Sequence, residues 1–156
     1  MVNNEGLIDA SGVEVDGGVV RLVGEGGGIT ANSGTLDASS LQAKGGTIHV
    51  LGDKVGIFDG EVNASGASGG GTVLIGGDRQ GLNADIRNAS RTYMSETAMI
   101  QADAFGNGNG GKVILWSDEG TQVYGRISAR GGAEGGNGGF IETSGKGLEI
   151  TMAPDV

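Results

Sequence analysis

The sequence lacks cysteine altogether, which excludes disulfide scaffolds, thiolate metal sites and cysteine nucleophiles. It has one proline in 156 residues, which excludes collagen, because collagen is rich in proline and places glycine at every third position. No apolar run approaches the roughly 18 residues that span a membrane, and no signal peptide follows Met1. Both ends look like interrupted repeats. We therefore expect a piece of a longer precursor, without direct membrane insertion.

Aromatic residues and positive charges are also scarce. Aromatic residues make up 4% of the chain, so its core must be narrow and filled by aliphatic side chains and alanine. There are 10 Lys and Arg against 19 Asp and Glu, giving a net charge of −9. Nucleic-acid binding needs a basic stripe, and anionic lipid also attracts basic segments. The composition therefore predicts no nucleic-acid partner.

Glycine, in contrast, is abundant: 35 of the 156 residues are glycine, roughly three times the usual share of about 7%. Glycine-rich polar sequences are often disordered. However, 37% of the residues are hydrophobic, and they occur in short β-branched runs such as Thr72–Ile75. A chain with this pattern can bury a core.

A short motif recurs five times along the chain, which is the usual signature of a repeat architecture. Each copy has an aliphatic residue, a polar residue and then alanine. The aliphatic positions are Ile8, Leu36, Val62, Ile100 and Ile127, and the alanines are Ala10, Ala38, Ala64, Ala102 and Ala129. Because side chains alternate across a strand, we expect both columns to point inward. The polar positions between them, Asp9, Asp37, Asn63, Gln101 and Ser128, should face solvent.

A second motif shares the same period of about 25 to 28 residues. A Gly-Gly pair precedes a short strand whose predicted inward columns are Val20, Ile48, Val73, Val113 and Ile141, and Leu22, Val50, Ile75, Leu115 and Thr143. A third, weaker motif occurs at 28–30, 55–58 and 121–124. Three strands per repeat predict an all-β fold, a parallel β-helix or β-solenoid of about five triangular turns. An antiparallel sandwich or propeller would favour turn signals about every 8 to 12 residues.

Several segments resemble the repeats of large bacterial exoproteins of the filamentous haemagglutinin family. They are Gly70–Asp78, Gly110–Ser117, Tyr124–Gly132 and Gly138–Lys146, and the resemblance extends over nearly the whole chain. It implies a right-handed β-helix, two-partner secretion through an outer-membrane pore, and adhesion or surface display. The Asn-Pro-Asn-Gly-type signature of that family's secretion domain is absent, so we expect this segment to lie downstream of that domain.

The candidate catalytic and metal-binding residues are few, and we expect no catalytic, cofactor-binding or metal site. His49 is the single histidine, whereas a metal site needs several ligands. Asp9 and Asp37 stack on adjacent turns, but their column then loses its carboxylates, whereas glycosidases use paired ones. The glycine-rich turns lack the aspartates of the repeats that bind calcium.

One irregularity breaks the period, because about a dozen extra residues separate the third and fourth copies. We treat residues 1–156 as a single β-helix segment with an inserted loop at about 79–94. Insertions in solenoids often form binding loops. The candidate contact residues are Arg79, Arg87, Arg91 and Tyr93, with an acidic glycan or a protein as possible ligand.

The favoured role of the inserted loop is to cover apolar surface. The outward positions Leu74, Ile114 and Trp116 would form an exposed patch that is unusual for a solvated rod. The loop carries apolar residues that could bury this patch, namely Leu82, Ile86, Tyr93 and Met94.

The functional prediction is a structural module, without enzymatic activity, in the rigid shaft of a secreted or surface-displayed bacterial adhesin. Its expected partners are neighbouring β-helix repeats or further copies stacked end to end, together with host or surface glycans or proteins. The alternative is a carbohydrate-active β-helix enzyme or a polysaccharide-binding module. A filament subunit is a further alternative, because both ends offer unpaired strand edges.

Overall fold

A computed structural model describes residues 1–12 and 16–156 and confirms an all-β fold. In the described residues, the single helix is a one-turn 3-10 helix, Arg79–Gly81. The strands are β1 Val2–Asn4, β2 Leu7–Asp9, β3 Val19–Val23, β4 Ile29–Asn32, β5 Thr35–Asp37, β6 Thr47–Leu51, β7 Lys54–Ile57, β8 Glu61–Asn63, β9 Thr72–Ile75, β10 Arg91–Met94, β11 Met99–Gln101, β12 Lys112–Val123, β13 Arg126–Ser128 and β14 Phe140–Ile150.

The strands stack in parallel on three faces of a β-solenoid of about five turns. The first face contains β2, β5, β8, β11 and β13. The second face contains β3, β6 and β9, followed by the first halves of β12 and β14. The third face contains β1, β4, β7 and β10, followed by the second halves of the same two long strands. The predicted architecture and its period are therefore correct.

The predicted inward columns are confirmed. Ile8, Leu36, Val62, Ile100 and Ile127 are register partners on successive turns, and all but Ile8 at the open end are buried. The alanine column is fully buried from Ala38 to Ala129. Both columns of the second face are also in register and buried through the first four turns. Since each turn shields the next, exposure of the interior is confined to the ends.

The Gly-Gly pairs form a tight corner with the alanine column. In every turn the N–H of the second glycine donates to the carbonyl of the alanine over 2.7 Å, as in Gly71 to Ala64. A Cβ on the first glycine of the pair would overlap backbone of the next turn: at Gly70 it would collide with the carbonyl oxygen of Ala102. The two sequence motifs therefore share a period because they meet at one corner.

The third face has a partly polar interior, which the sequence did not reveal. Thr30, Thr92 and Thr121 point inward and are buried. Their hydroxyls donate to the carbonyls of Leu51, Trp116 and Ser144, respectively, at 2.7 to 2.9 Å. Each acceptor lies at the corner of the next turn. Since a buried hydroxyl is costly unless it is hydrogen-bonded, these threonines tie one turn to the next.

The inserted segment has about the predicted number of extra residues but begins and ends a few residues earlier than the sequence suggested. Fifteen residues separate the paired positions Ile75 and Arg91, whereas four separate Leu115 and Gly120, their register partners in the next turn. The predicted loop of about 79–94 therefore includes four residues, Arg91–Met94, that form strand β10 of the third face. They escaped assignment because the insertion shifts them out of the period. The segment outside the solenoid, residues 76–90, is called the strap below.

Candidate functional site

The strap crosses the outside of the solenoid along its axis. Near its start, the Gln80 N–H donates to Glu142 Oε1 in the fifth turn over 2.9 Å. Near its end, Arg87 donates to the carbonyl of Gly26 in the first turn over 3.2 Å. At its last residue, the Ser90 N–H donates to the carbonyl of Asp53 in the second turn over 2.7 Å. The strap thus contacts turns at both ends of the stack.

Asp78 anchors the strap. Its carboxylate accepts hydrogen bonds from the Arg79 N–H, the Asn83 amide and the Lys112 ammonium at 2.8 to 3.0 Å. Burial opposes ionisation of Asp78, but these hydrogen bonds and the Lys112 charge outweigh it and lower its pKa to about 2. The Arg79 guanidinium lies 5.2 Å from the ring centre of Phe140, a cation–π contact.

The patch expected beneath the loop is covered, but not by the predicted side chains. Leu74 and Ile114 are buried, and the strap glycines Gly77 and Gly81 approach Trp116 so closely that neither has room for a Cβ. Leu82, in contrast, is 79% exposed. Of the other residues expected to form the cover, Met94 is buried in the solenoid core and Tyr93 lies on the third face. Ile86 stays on the strap and is half-buried. Backbone packing against the indole therefore replaces the predicted apolar lid.

The four candidate contact residues are divided between two places. Arg79 and Arg87 lie on the strap, where each contacts the solenoid. Arg91 and Tyr93 lie on β10 and line a groove of about 620 Å³ on the third face. The structure does not bring the four together, so the groove is the better-formed candidate site.

Three aromatic rings lie in a row in and beside this groove. The Phe58 and Tyr93 rings stack with their centres 5.3 Å apart, and Tyr93 meets Tyr124 edge-on at 5.8 Å. Gly56 makes the first contact possible, because the Phe58 ring occupies the space in which a side chain at position 56 would lie. Phe58 remains 41% exposed. The groove therefore presents aromatic surface to solvent in a chain that has few aromatic residues.

Two cations lie beside the rings. Lys54 and Arg91 are register partners on β7 and β10, and stacked strands are about 4.8 Å apart. Arg91 pairs with Glu119 at 3.4 Å, and both side chains are mostly exposed. An exposed pair of this kind contributes little to stability. Lys54 has no ion pair within residues 1–12 and 16–156.

The far end of the groove holds a small polar network. The Gln122 amide donates to the Tyr124 hydroxyl over 3.0 Å and to Glu149 over 3.1 Å. A hydrogen bond with Glu149 raises the pKa of Tyr124, whereas hydrogen bonds from Gln122 and Tyr124 lower the pKa of Glu149. The sequence analysis missed Lys54, Phe58, Tyr124 and Gln122 as site residues. Their signal was the third motif, which contains Phe58, Gln122 and Tyr124 and directly follows Lys54.

The other candidates from the sequence form no site. Asp9 and Asp37 each accept a hydrogen bond from the N–H two residues on, at 2.8 Å, so each stabilises its own turn. The pKa of His49 is lowered, mainly by burial and then by the charge of Arg21. Across the described part of the chain, no three histidine, aspartate or glutamate side chains cluster as metal ligands. The same residues contain no helix long and apolar enough to cross a membrane.

Asp103 is a buried carboxylate that the sequence analysis overlooked. Arg130 of the next turn donates to it from Nε, Nη2 and its backbone N–H at 2.7 to 3.1 Å, and the Ser128 hydroxyl donates over 2.5 Å. Burial opposes ionisation of Asp103, but these hydrogen bonds and the Arg130 charge lower its pKa overall. The carboxylate links the fourth and fifth turns at a corner of the first face.

We expect the Asp103 network to stabilise the fold in a pH-dependent way. Because its folded pKa is lowered, its contribution is complete above the ordinary aspartate pKa of 3.8 and is lost as the pH falls through the folded value. Asp103→Asn should lower the stability at pH 7 by about 1 to 3 kcal/mol and flatten its dependence on pH below 4. Thermal melting between pH 2 and 7 measures both effects. The control is Asp85→Asn, which changes an exposed aspartate. If the melting temperature depended on pH equally in both variants, the stabilising role of the Asp103 network would be contradicted.

The fold and the sequence were compared with those of known proteins. No protein-family model matches the sequence, and no curated protein is significantly similar to it. The fold is similar to the crystal structure of the HMW1 secretion domain from Haemophilus influenzae, with a TM-score of 0.68 and 25% sequence identity. The match covers 97% of this chain but 46% of that one. This chain therefore spans about half the length of that secretion domain.

Proposed function

We propose that this chain is a rigid β-solenoid segment of a secreted bacterial exoprotein, of the filamentous haemagglutinin type, displayed at the outer cell surface. The observation that carries the proposal is the continuous parallel stack, in which every turn is hydrogen-bonded to the next and the apolar interior is open at both ends. A stack of this kind resists bending and can be lengthened by further turns. Its function is to hold other parts of the exoprotein away from the cell as the shaft of an adhesin.

The similarity to a secretion domain supports the secreted setting. This similarity also concerns where the segment lies in its parent protein, since the sequence analysis predicted a position downstream of the secretion domain. Secretion domain and shaft can share one β-solenoid architecture, so a match in fold is compatible with both positions. The position downstream stays a prediction.

The alternative, a carbohydrate-active or polysaccharide-binding module, is favoured by the groove on the third face. Aromatic rings beside polar side chains form the kind of amphipathic surface that small polar ligands use. Of the two, we favour binding over catalysis, because the proposed shaft needs contact surfaces and a reaction would need a defined pair of catalytic groups.

End-to-end stacking gives a direct test of the shaft. Leu148 and Ile150 continue two interior columns of the third face at the C-terminal end, where they are 49% and 39% exposed. We expect the mass measured by light scattering to rise with concentration, since unpaired strand edges template association. The double variant Leu148→Lys and Ile150→Lys should abolish this rise.

The matched control is Leu41→Lys, which changes a 69% exposed leucine at a side corner of the stack. Circular dichroism shows whether each variant keeps its β-structure. A wild-type chain that stays monomeric at every concentration, or equal association of both folded variants, would rule out stacking through the exposed ends.

A further inference from the structure

The third face carries a charge arrangement that folding does not explain. Lys54 and Arg91 occupy directly paired positions, and like charges placed opposite one another destabilise a sheet. Basic residues are also scarce, at 10 against 19 acidic ones. Two of them nevertheless lie side by side in a groove, and Lys54 has no ion pair in the described chain. The unfavourable pairing points to an anionic ligand.

The same column leaves open space next to the cations. After Lys54 and Arg91, its next two members are Gly120 and Gly147. A Cβ at either glycine would meet no neighbour closer than 3.5 Å, so packing does not demand glycine there. The absence of side chains keeps the floor of the groove flat in the fourth and fifth turns. The whole column, from Lys54 in the second turn to Gly147 in the fifth, is about 14 Å long at 4.8 Å per turn.

The neighbouring column supplies an apolar wall and hydrogen-bonding groups. Tyr93 and Phe58 form the wall, and the polar side chains of Gln122 and Glu149 follow Tyr93 in the next two turns. Sugar rings combine apolar C–H faces with hydroxyl rims, and they fit a surface where aromatic rings adjoin polar side chains. A sugar that also bears a carboxylate fits the two cations.

We propose that the third face binds an acidic oligosaccharide lying along the solenoid axis, with its carboxylates at Lys54 and Arg91 and a sugar ring against Phe58 and Tyr93. Glu119 then acts as an internal competitor, since it holds Arg91 in the absence of ligand. This inference goes beyond the shaft function and does not depend on end-to-end stacking, because the groove lies on the side of the stack.

Isothermal titration calorimetry with a defined set of oligosaccharides tests the proposal. The probes are oligogalacturonate, oligomannuronate and a sialylated oligosaccharide, each paired with its carboxyl-reduced counterpart. We expect at least one acidic probe to bind and its reduced counterpart to bind at least about fivefold more weakly, since hydrogen bonds to charged groups are stronger than neutral ones. Equal binding of both members of each pair, or no binding of any probe, would overturn the proposal.

The substitutions at this site are expected to change the affinity in opposite directions, and a general loss of folding could not produce that result. Lys54→Gln and Arg91→Gln should each weaken binding by about five- to tenfold, whereas Glu119→Gln should strengthen it, because it frees Arg91 and removes a negative charge. Tyr93→Leu should weaken the binding of acidic probes and of their carboxyl-reduced counterparts by similar factors. Lys44→Gln, on another side of the stack, removes the same charge and should have no effect.

If Lys44→Gln weakens binding as much as Lys54→Gln, attraction is non-specific and the groove is not the site. If Glu119→Gln weakens binding, Glu119 is a ligand contact and the competitor role is wrong. Light scattering of the same variants separates this result from the shaft proposal, since substitutions on the side of the stack should leave end-to-end association unchanged.

Discussion

Replacing Gly70 with alanine is expected to destabilise the solenoid by at least about 3 kcal/mol, more than overpacking usually costs. The added Cβ would overlap the carbonyl oxygen of Ala102 and the amide nitrogen of Gly111. Both atoms belong to hydrogen-bonded backbone of the next turn, so neither can move without breaking the stack. Urea unfolding followed by circular dichroism measures the change, and a chain that fails to fold is the extreme of the same result.

Gly6→Ala is the matched control for this substitution. A Cβ at Gly6 would meet no neighbour within 4 Å, and Gly6 does not adopt a positive φ, so alanine there should change stability little. Similar losses in the two variants would mean that glycine content in general, and not close approach at the corner, governs stability.

Replacing Ala64 with leucine should cost about 1 to 3 kcal/mol, which is typical of an overpacked core. Ala64 is completely buried, with Ala38 and Ala102 at the equivalent positions of the adjacent turns. Leucine adds three carbon atoms at a corner where the Gly-Gly backbone lies directly against the alanine. For a chain of this size we expect the melting temperature to fall by roughly 2 to 4 °C per kcal/mol.

Ala133→Leu provides the comparison for Ala64→Leu, because Ala133 lies in a corner loop outside the core. It makes the same chemical change without entering the interior of the solenoid. If Ala64→Leu melts at the wild-type temperature, the corner has room for a larger side chain, and the packing described for the alanine column is incorrect.

The columns of the solenoid were predictable because a repeat places equivalent residues above one another. Ile8, Leu36 and Val62 are far apart in sequence but differ by whole turns, so their shared period revealed their contact. The Gly-Gly pairs were visible for the same reason. Periodicity predicts any interaction that recurs once per turn, including the interior and its corners.

The candidate site was less predictable, because the insertion displaces the residues that form it. Arg91 and Tyr93 belong to the third face, but fifteen residues separate Arg91 from Ile75 and hide its alignment with Lys54. Only the register of β7 with β10 places the two cations side by side. The ion pair between the buried Asp103 and the partly exposed Arg130 was obscured in a similar way, because it depends on side-chain direction at a corner of irregular length.

The sequence by itself thus determined the parallel stack, its period, its inward columns and the existence of an insertion. Hydrophobic periodicity and the tight packing around glycine and alanine act locally and recur in every turn, so both are visible as patterns in the sequence. The tertiary structure decided the course of the strap along the axis, which groups cover the patch around Trp116, and the joining of cations and aromatic rings in one groove. Those contacts each occur once, between residues with no fixed spacing, and only packing in three dimensions selects them.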